Sequence, residues 1–252
     1  MKKLSVIGIG AGDPDHLTMQ AVKALNQVDV FFLMDKGPAK ETLLDLRREI
    51  CQRYIVGRTY RFVEAYSPER QRDDSDYTAS VEALNRAKQA TFERLINEEL
   101  SDGQQGGFLV WGDPSLYDST LRILQAILDA GRCAFEFEVI PGITSVQALA
   151  AKHKVPLNTI GGSLEITTGR RLAAGQVGDA ASVVVMLDAG DAYQCVSDPD
   201  TQIYWGAYVG TPDERLIAGR LGDVADDIER TRKAAREEHG WIMDTYLLRR
   251  SL

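Results

Sequence analysis

Hydrophobic and polar positions divide the chain into two textures. Residues 3–9 form a short apolar, β-branched run, which predicts a strand. Residues 15–26 place Leu17, Ala21, Val22 and Leu25 at helical spacing, and residues 28–34 are almost wholly apolar, as in a strand buried on both faces. A helix over 40–50 follows, with Leu43, Leu46 and Ile50 inward. Strand, helix, strand and helix at this spacing predict βαβ units and a parallel sheet. Residues 57–76 are polar, Arg-rich and studded with aromatics, and read as a strand or loop and then a connector. Ser67-Pro68-Glu69 has the form of a helix start. Helices over 78–100, 119–130 and 145–152 alternate with strands over 108–111 and 135–140. Beyond that, short strands over 165–168, 182–187, 201–209, 216–218 and 244–249 predict a mixed α+β domain with few long helices. The expected organisation is an N-terminal α/β domain over 1–142 and a second domain over 143–252.

Composition narrows the function classes. The 252 residues suffice for two domains, and 44% apolar with 26% charged residues is ordinary for a globular protein. No apolar run reaches the length of a membrane span, and the apolar start breaks at Gly8, Gly10, Gly12, Asp13 and Pro14, too early for a signal peptide. Three widely spaced cysteines, Cys51, Cys133 and Cys195, fit neither a disulfide framework nor a CxxC metal site, and they suit the cytoplasm. With 29 Lys+Arg against 37 Asp+Glu, the average field repels polyanions, so nucleic acid is not expected as a partner. Any polyanionic ligand needs a local cluster of Arg or Lys.

Three glycine turns follow three strands. Gly8-Ile9-Gly10-Ala11-Gly12-Asp13-Pro14 invites a dinucleotide fingerprint and hence an NAD(P)-linked reductase. The third glycine of that motif falls at residue 13, which is Asp, an acid that would repel a pyrophosphate. A tight strand-to-helix turn, or the edge of a cleft for a non-phosphate ligand, are the other readings. Gly112-Asp113-Pro114-Ser115-Leu116-Tyr117-Asp118 sets a carboxylate at a strand end, where an α/β sheet binds ligands; helix capping by Asp113 is the plainer alternative. In Val139-Ile140-Pro141-Gly142-Ile143-Thr144-Ser145, the two hydroxyls either cap a helix or hold a ligand carboxylate or ribose. In a parallel sheet all three turns line one rim. His16, His153 and His239 are isolated, and no metal-ligand, nucleophile-elbow or Walker pattern occurs.

Together, residues 8–18, 112–118 and 139–145 resemble the signature of the tetrapyrrole (precorrin) methylases. Val155-Pro156-Leu157, the strand with Met186, and Gly210-Thr211-Pro212-Asp213-Glu214 continue the resemblance along nearly the whole chain. It implies the two-domain α/β fold of that family: a mostly parallel N-terminal sheet, a C-terminal mixed sheet, and S-adenosylmethionine (SAM) in the cleft between them. It also implies a homodimer and a precorrin substrate. The Arg/Tyr-rich segment 57–77, Trp111-Gly112-Asp113 and Trp205-Gly206-Ala207-Tyr208 look most like the branch that methylates C1 of the macrocycle and releases an acetyl group as acetate in cobalamin biosynthesis. A relative acting on another carbon or substrate is the alternative within the fold.

Carried over residue by residue, the resemblance implies that Pro14, Gly112, Asp113, Leu116, Thr144, Ser145, Met186 and Leu187 contact SAM or S-adenosylhomocysteine. Tyr208, Thr245 and Tyr246 stand where the family places adenine contacts, on a poorer match. The end, Leu247 to Leu252, departs from the family's apolar strand closing in Gly. A substrate rich in carboxylates needs cations, for which Lys36, Arg58, Arg61, Arg70 and Arg72 are candidates. Releasing acetate needs a general base, for which Asp113, Tyr66 and Asp35 are candidates. No metal is demanded.

Overall fold

The computed structural model describes all residues except Lys36, Pro38–Lys40, Glu69–Asp76, Ser251 and Leu252. The chain divides into two compact units, Met1–Gly10 with Pro14–Ile143, and Ala11–Asp13 with Thr144–Leu252.

The first unit is a five-stranded sheet in the order β3-β2-β4-β1-β5, with every pairing parallel. Its strands are β1 Lys2–Gly8, β2 Val30–Asp35, β3 Arg61–Tyr66, β4 Gln105–Val110 and β5 Phe135–Ile140. Side-chain alternation sorts the sheet into two faces. Ile7, Phe31, Leu109 and Ile140 pack against helices α1 Met19–Leu25 and α2 Glu41–Tyr54. Leu4, Val6, Phe32, Phe108 and Phe135 pack against α3 Tyr77–Glu99 and α4 Thr120–Asp129. Burial on both faces explains why β1, β2 and β4 read as near-continuous apolar runs, while the edge strands β3 and β5 keep exposed charged positions.

One boundary departs from expectation. The helix predicted over 15–26 is a single 3-10 turn, Pro14–His16, followed by α1 from Met19, with Thr18 as N-cap accepting from the Ala21 amide at 3.0 Å. The Thr18 cap satisfies an amide that a pyrophosphate would need, and it does so far along the chain from Gly8. That geometry removes the dinucleotide reading of the first turn. The helix start proposed at Ser67-Pro68-Glu69 runs outside the described residues.

The second unit carries a mixed sheet, β6-β7-β10-β8-β9, built from β6 Leu164–Thr168, β7 Ser182–Met186, β8 Gln202–Ala207, β9 Arg215–Arg220 and β10 Asp244–Arg249. β6 and β7 are parallel, and the other pairings are antiparallel. Helices α5 Ser145–His153, α6 Gly169–Ala173 and α7 Leu221–His239 accompany it. The sequence reading names no helix over 221–239, where α7 runs for 19 residues. Its inward face is only Leu221, Ile228, Arg232 and Ala235, so the apolar periodicity is thin and one core position is held by an arginine.

That arginine organises the core. Arg232 is 5% exposed and donates from Nε to Asp244 at 2.9 Å, from Nη1 to Asp191 at 2.8 Å and from Nη2 to the Asp188 carbonyl at 2.5 Å. Trp205 Nε1 also donates to Asp244, at 3.0 Å, and the Tyr246 hydroxyl donates to Asp188 at 2.8 Å. Burial pushes the Asp244 carboxyl up, and the Arg232 guanidinium offsets that push in part. Charges this deep are tolerated because each is paired and hydrogen-bonded.

Candidate active site

Because the first sheet is parallel, the carboxyl ends of its five strands share one rim. At its centre three glycines pack backbone to backbone. A Cβ on Gly142 would lie 2.1 Å from the Gly112 carbonyl oxygen, and one on Gly8 would lie 2.6 Å from the Gly142 nitrogen. Gly10 and Gly112 bridge as a two-residue antiparallel pair, with Gly112 N donating to Gly10 O at 2.7 Å. Gly112 holds φ +67°, which a side chain resists. The three turns seen in the sequence therefore meet at one point.

Asp113 braces the point. Its Oδ2 accepts from the Gly142 amide at 2.8 Å and its Oδ1 from the Ser115 amide at 2.7 Å, with the Ser115 hydroxyl also on Oδ1. Burial pushes this carboxyl up, but the Ser115 hydroxyl and the Gly142 and Ser115 amides outweigh it and hold the group below the usual carboxylate range. A carboxylate with both oxygens committed and a depressed pKa is a weak base. Asp113 is thus the clamp of the rim.

Asp35 and Tyr66 stand at the ends of β2 and β3, in register as paired residues. Tyr66 is 62% exposed, and Asp35 Oδ1 accepts from the Gly37 amide at 2.8 Å. They share the rim. Leu116 is half-buried in the same loop as Asp113, and Pro14 is half-buried at the start of the 3-10 turn.

The cation expectations fare differently. Arg58 donates to the Asn26 carbonyl at 2.6 Å and pairs with Asp29, just before β2 begins. Arg61 opens β3 and pairs with Glu99 at 2.9 Å. Both therefore sit at the amino edge of the sheet, about 20 Å of strand away from the rim. That edge is opposite the rim where the glycine turns meet. Lys36, Arg70 and Arg72 lie outside the described residues.

Two other cations reach the rim. Arg47 of α2 donates from Nε to the Leu109 carbonyl at 3.0 Å and from Nη1 to the Leu43 carbonyl at 2.6 Å. Burial pushes it down to about 10, partly offset by Asp118. Lys88 of α3 is likewise pushed down by burial. Neither is among the cations singled out from the sequence. Nothing in their spacing distinguishes them from solvated neighbours.

In the second unit, Thr144 caps α5 in a reciprocal box with Gln147, and Ser145 is half-buried at the first helical turn. Thr144's capping role is the plainer of the two alternatives open to it. β7 and β8 both run antiparallel to β10, so Met186, Leu187 and Tyr208 fall at one edge of that sheet. Leu187 is 64% exposed at φ +53°, a strained backbone for a non-glycine residue. The three residues expected at adenine have buried side chains in the second unit's core. The Tyr208 hydroxyl donates to the Trp241 carbonyl, with the Ala235 carbonyl also within reach, Thr245 Oγ1 donates to the Val185 carbonyl at 3.0 Å, and Tyr246 is fully buried on Asp188. Their hydroxyl protons are spent inside the fold.

Residues 3–225 match the family described as Tetrapyrrole (Corrin/Porphyrin) Methylases. The chain belongs to the tetrapyrrole methylases. This methylase is 49% identical, over 99% of its length and 96% of the relative's, to Precorrin-6A synthase [deacetylating] of Sinorhizobium sp. A crystal structure of a putative cobalamin synthesis related protein (CobF) from Corynebacterium diphtheriae superposes with a TM-score of 0.84 at 36% identity, covering 99% of this chain and 98% of that one. At 19% identity, uroporphyrin-III C-methyl transferase from Thermus thermophilus, complexed with S-adenyl homocysteine, shares the fold with a TM-score of 0.60 over 98% of this methylase and 96% of that chain. No described helix is long and apolar enough to cross a membrane.

Proposed function

We propose that this methylase transfers a methyl group from SAM to C1 of precorrin-5 and releases acetate, giving precorrin-6A. The carrying observation is the 49% identity, end to end, with a deacetylating precorrin-6A synthase. The glycine rim fits the cofactor, because close backbone packing at Gly8, Gly112 and Gly142 gathers the turns after β1, β4 and β5 at the carboxyl ends of the strands, where an open α/β sheet takes its ligand. SAM, when bound, supplies a methyl already activated by its sulfonium. The chain's own task is alignment and exclusion of water, worth about 7–11 kcal/mol in well-oriented reactions. Asp113 holds the rim in shape; Gly112, Leu116 and Pro14 border it. Met186 and the exposed Leu187 are the second unit's candidates to border adenosine.

Methyl transfer leaves the macrocycle electron-poor. Water then adds to the acetyl carbonyl carbon, the bond to the ring breaks with its electron pair going to the ring, and acetate departs. We assign the water's proton to Asp35, with Tyr66 as its neighbour, because the two stand side by side at the carboxyl ends of β2 and β3 and Tyr66 is exposed there. A homodimer is supported by exposed Ile160 and Leu164 on and beside edge strand β6. Three free thiols fit a reducing, cytoplasmic setting.

Incubation with precorrin-5 and methyl-labelled SAM tests the reading. One methyl gained per macrocycle and one equivalent of acetate are expected. Methyl gain without acetate would assign a different member of the family, and no methyl transfer would end the proposal.

A further inference from the structure

A cavity of about 130 Å³ opens at the carboxyl ends of β2 and β4, wholly within the first unit. Those strands feed helices on opposite faces: α2 packs with one core cluster and α4 with the other. This is a crevice of the kind in which open α/β sheets take ligands. Its apolar lining includes Phe32, Phe92 and Phe108. Its polar lining converges from both sides, with Arg47 from α2, Lys88 from α3, and Asp118 with Thr120 at the start of α4.

The charges do not cancel. Asp118 spends Oδ1 on the Thr120 amide at 2.7 Å. Arg47 bonds only to backbone carbonyls, and neither Arg47 nor Lys88 has an ion pair among the described residues. Two cations and one carboxylate leave one positive charge in a half-enclosed space. Trp111 Nε1 is buried on the same wall with no hydrogen-bond partner among the described residues. A buried donor without an acceptor is costly unless a ligand supplies one.

We propose that this cavity binds a carboxylate carried on a short alkyl stem, with Arg47 and Lys88 on the carboxylate, Trp111 Nε1 donating to it and the phenyl rings against the stem. Two sources carry that chemistry here, a side chain of the macrocycle or the acetate set free. The choice between them rests on the function proposed above; the carboxylate site itself does not.

Propionate titrated into the full chain is the probe, read by the Trp111 indole proton in NMR and assigned with Trp111→Phe. The indole resonance should shift and saturate. Lys88→Gln, which removes no hydrogen bond among the described residues, and Arg47→Gln should each weaken propionate about tenfold, the loss of one charge-assisted contact. Arg53→Gln, whose partner is Asp15 on the surface, should change nothing. Arg47→Lys keeps the charge should Arg47→Gln fail to fold.

In the methyl-transfer assay, a raised KM for the macrocycle at unchanged kcat assigns the cavity to a macrocycle arm. An unchanged KM with loss of inhibition by added acetate assigns it to the product. An indole resonance that ignores propionate, or shifts equally in the Lys88 and Arg47 variants, overturns the site even if the enzyme methylates normally. Propionate binding in a chain that transfers no methyl overturns the function and leaves the site.

Discussion

The Oδ2 of Asp113 accepts the Gly142 amide at 2.8 Å, tying the loop after β4 to the loop after β5 across the end of β1. One carboxylate thus sets the spacing of three glycine turns. Asp113→Ala would strand two amides and free the loop, costing about 1–3 kcal/mol of stability. The expected result is weaker S-adenosylhomocysteine binding by calorimetry, at a temperature where circular dichroism shows an intact fold. Unchanged affinity would show that the rim does not carry the cofactor.

The same contact predicts acid behaviour. Asp113 is held below the usual carboxylate range when folded. Its stabilisation is therefore complete above the unfolded value, near 4, and is lost as pH falls through the lower folded value. Asp113→Asn should be less stable than the parent at neutral pH, with the gap narrowing in strong acid. A gap constant from neutral to acid would contradict the assignment.

The glycine cluster is tested by contrast. Gly142→Ala would drive a methyl into the Gly112 carbonyl, where no flexible side chain can yield. A loss of about 3 kcal/mol is expected, the upper end of overpacking costs. Gly190→Ala meets nothing within 4 Å and should stay within about 0.5 kcal/mol of the parent in urea titration.

Arg58 and Arg61 serve the amino edge of the sheet. Arg61→Gln should leave both kcat and KM for the macrocycle unchanged, while the Arg47 and Lys88 substitutions act on the carboxylate. A raised KM in Arg61→Gln would contradict the strand direction read here.

Arg232 joins three aspartates in the second unit. Arg232→Met leaves buried charges without a partner and should cost about 3–5 kcal/mol in thermal unfolding. Tyr246→Phe removes only the hydroxyl's bond to Asp188 and should cost about 1–2 kcal/mol. Equal and small losses would mean that the network is not the core's organiser.

Thiol chemistry offers an independent check on burial. The Cys51 thiol is pushed up to about 12 by burial and Cys133 is also raised, whereas Cys195 is exposed. One fast thiol is expected with a chromogenic disulfide at neutral pH. Two or three fast thiols would show a looser first unit.

The sequence by itself determined β1, β2 and β4 and the helices around them, because buried parallel strands leave unbroken apolar runs, whereas edge strand β3, with exposed charged positions, read equally as a loop. It also determined that Gly8, Gly112 and Gly142 follow strands, since only glycine-rich turns punctuate those runs. α7 was obscured because its core face carries Arg232, a residue whose burial depends on aspartates from distant segments. Tertiary structure alone decided which charges face the rim. Arg58 and Arg61 look like Arg47 and Lys88 in one dimension, but strand direction sends the first pair to the amino edge, and helix packing brings the second pair to the carboxyl edge. It likewise decided that Tyr208, Thr245 and Tyr246 spend their hydroxyls inside the fold. A side chain's partner is set by what the chain brings beside it, and spacing along the sequence does not contain that.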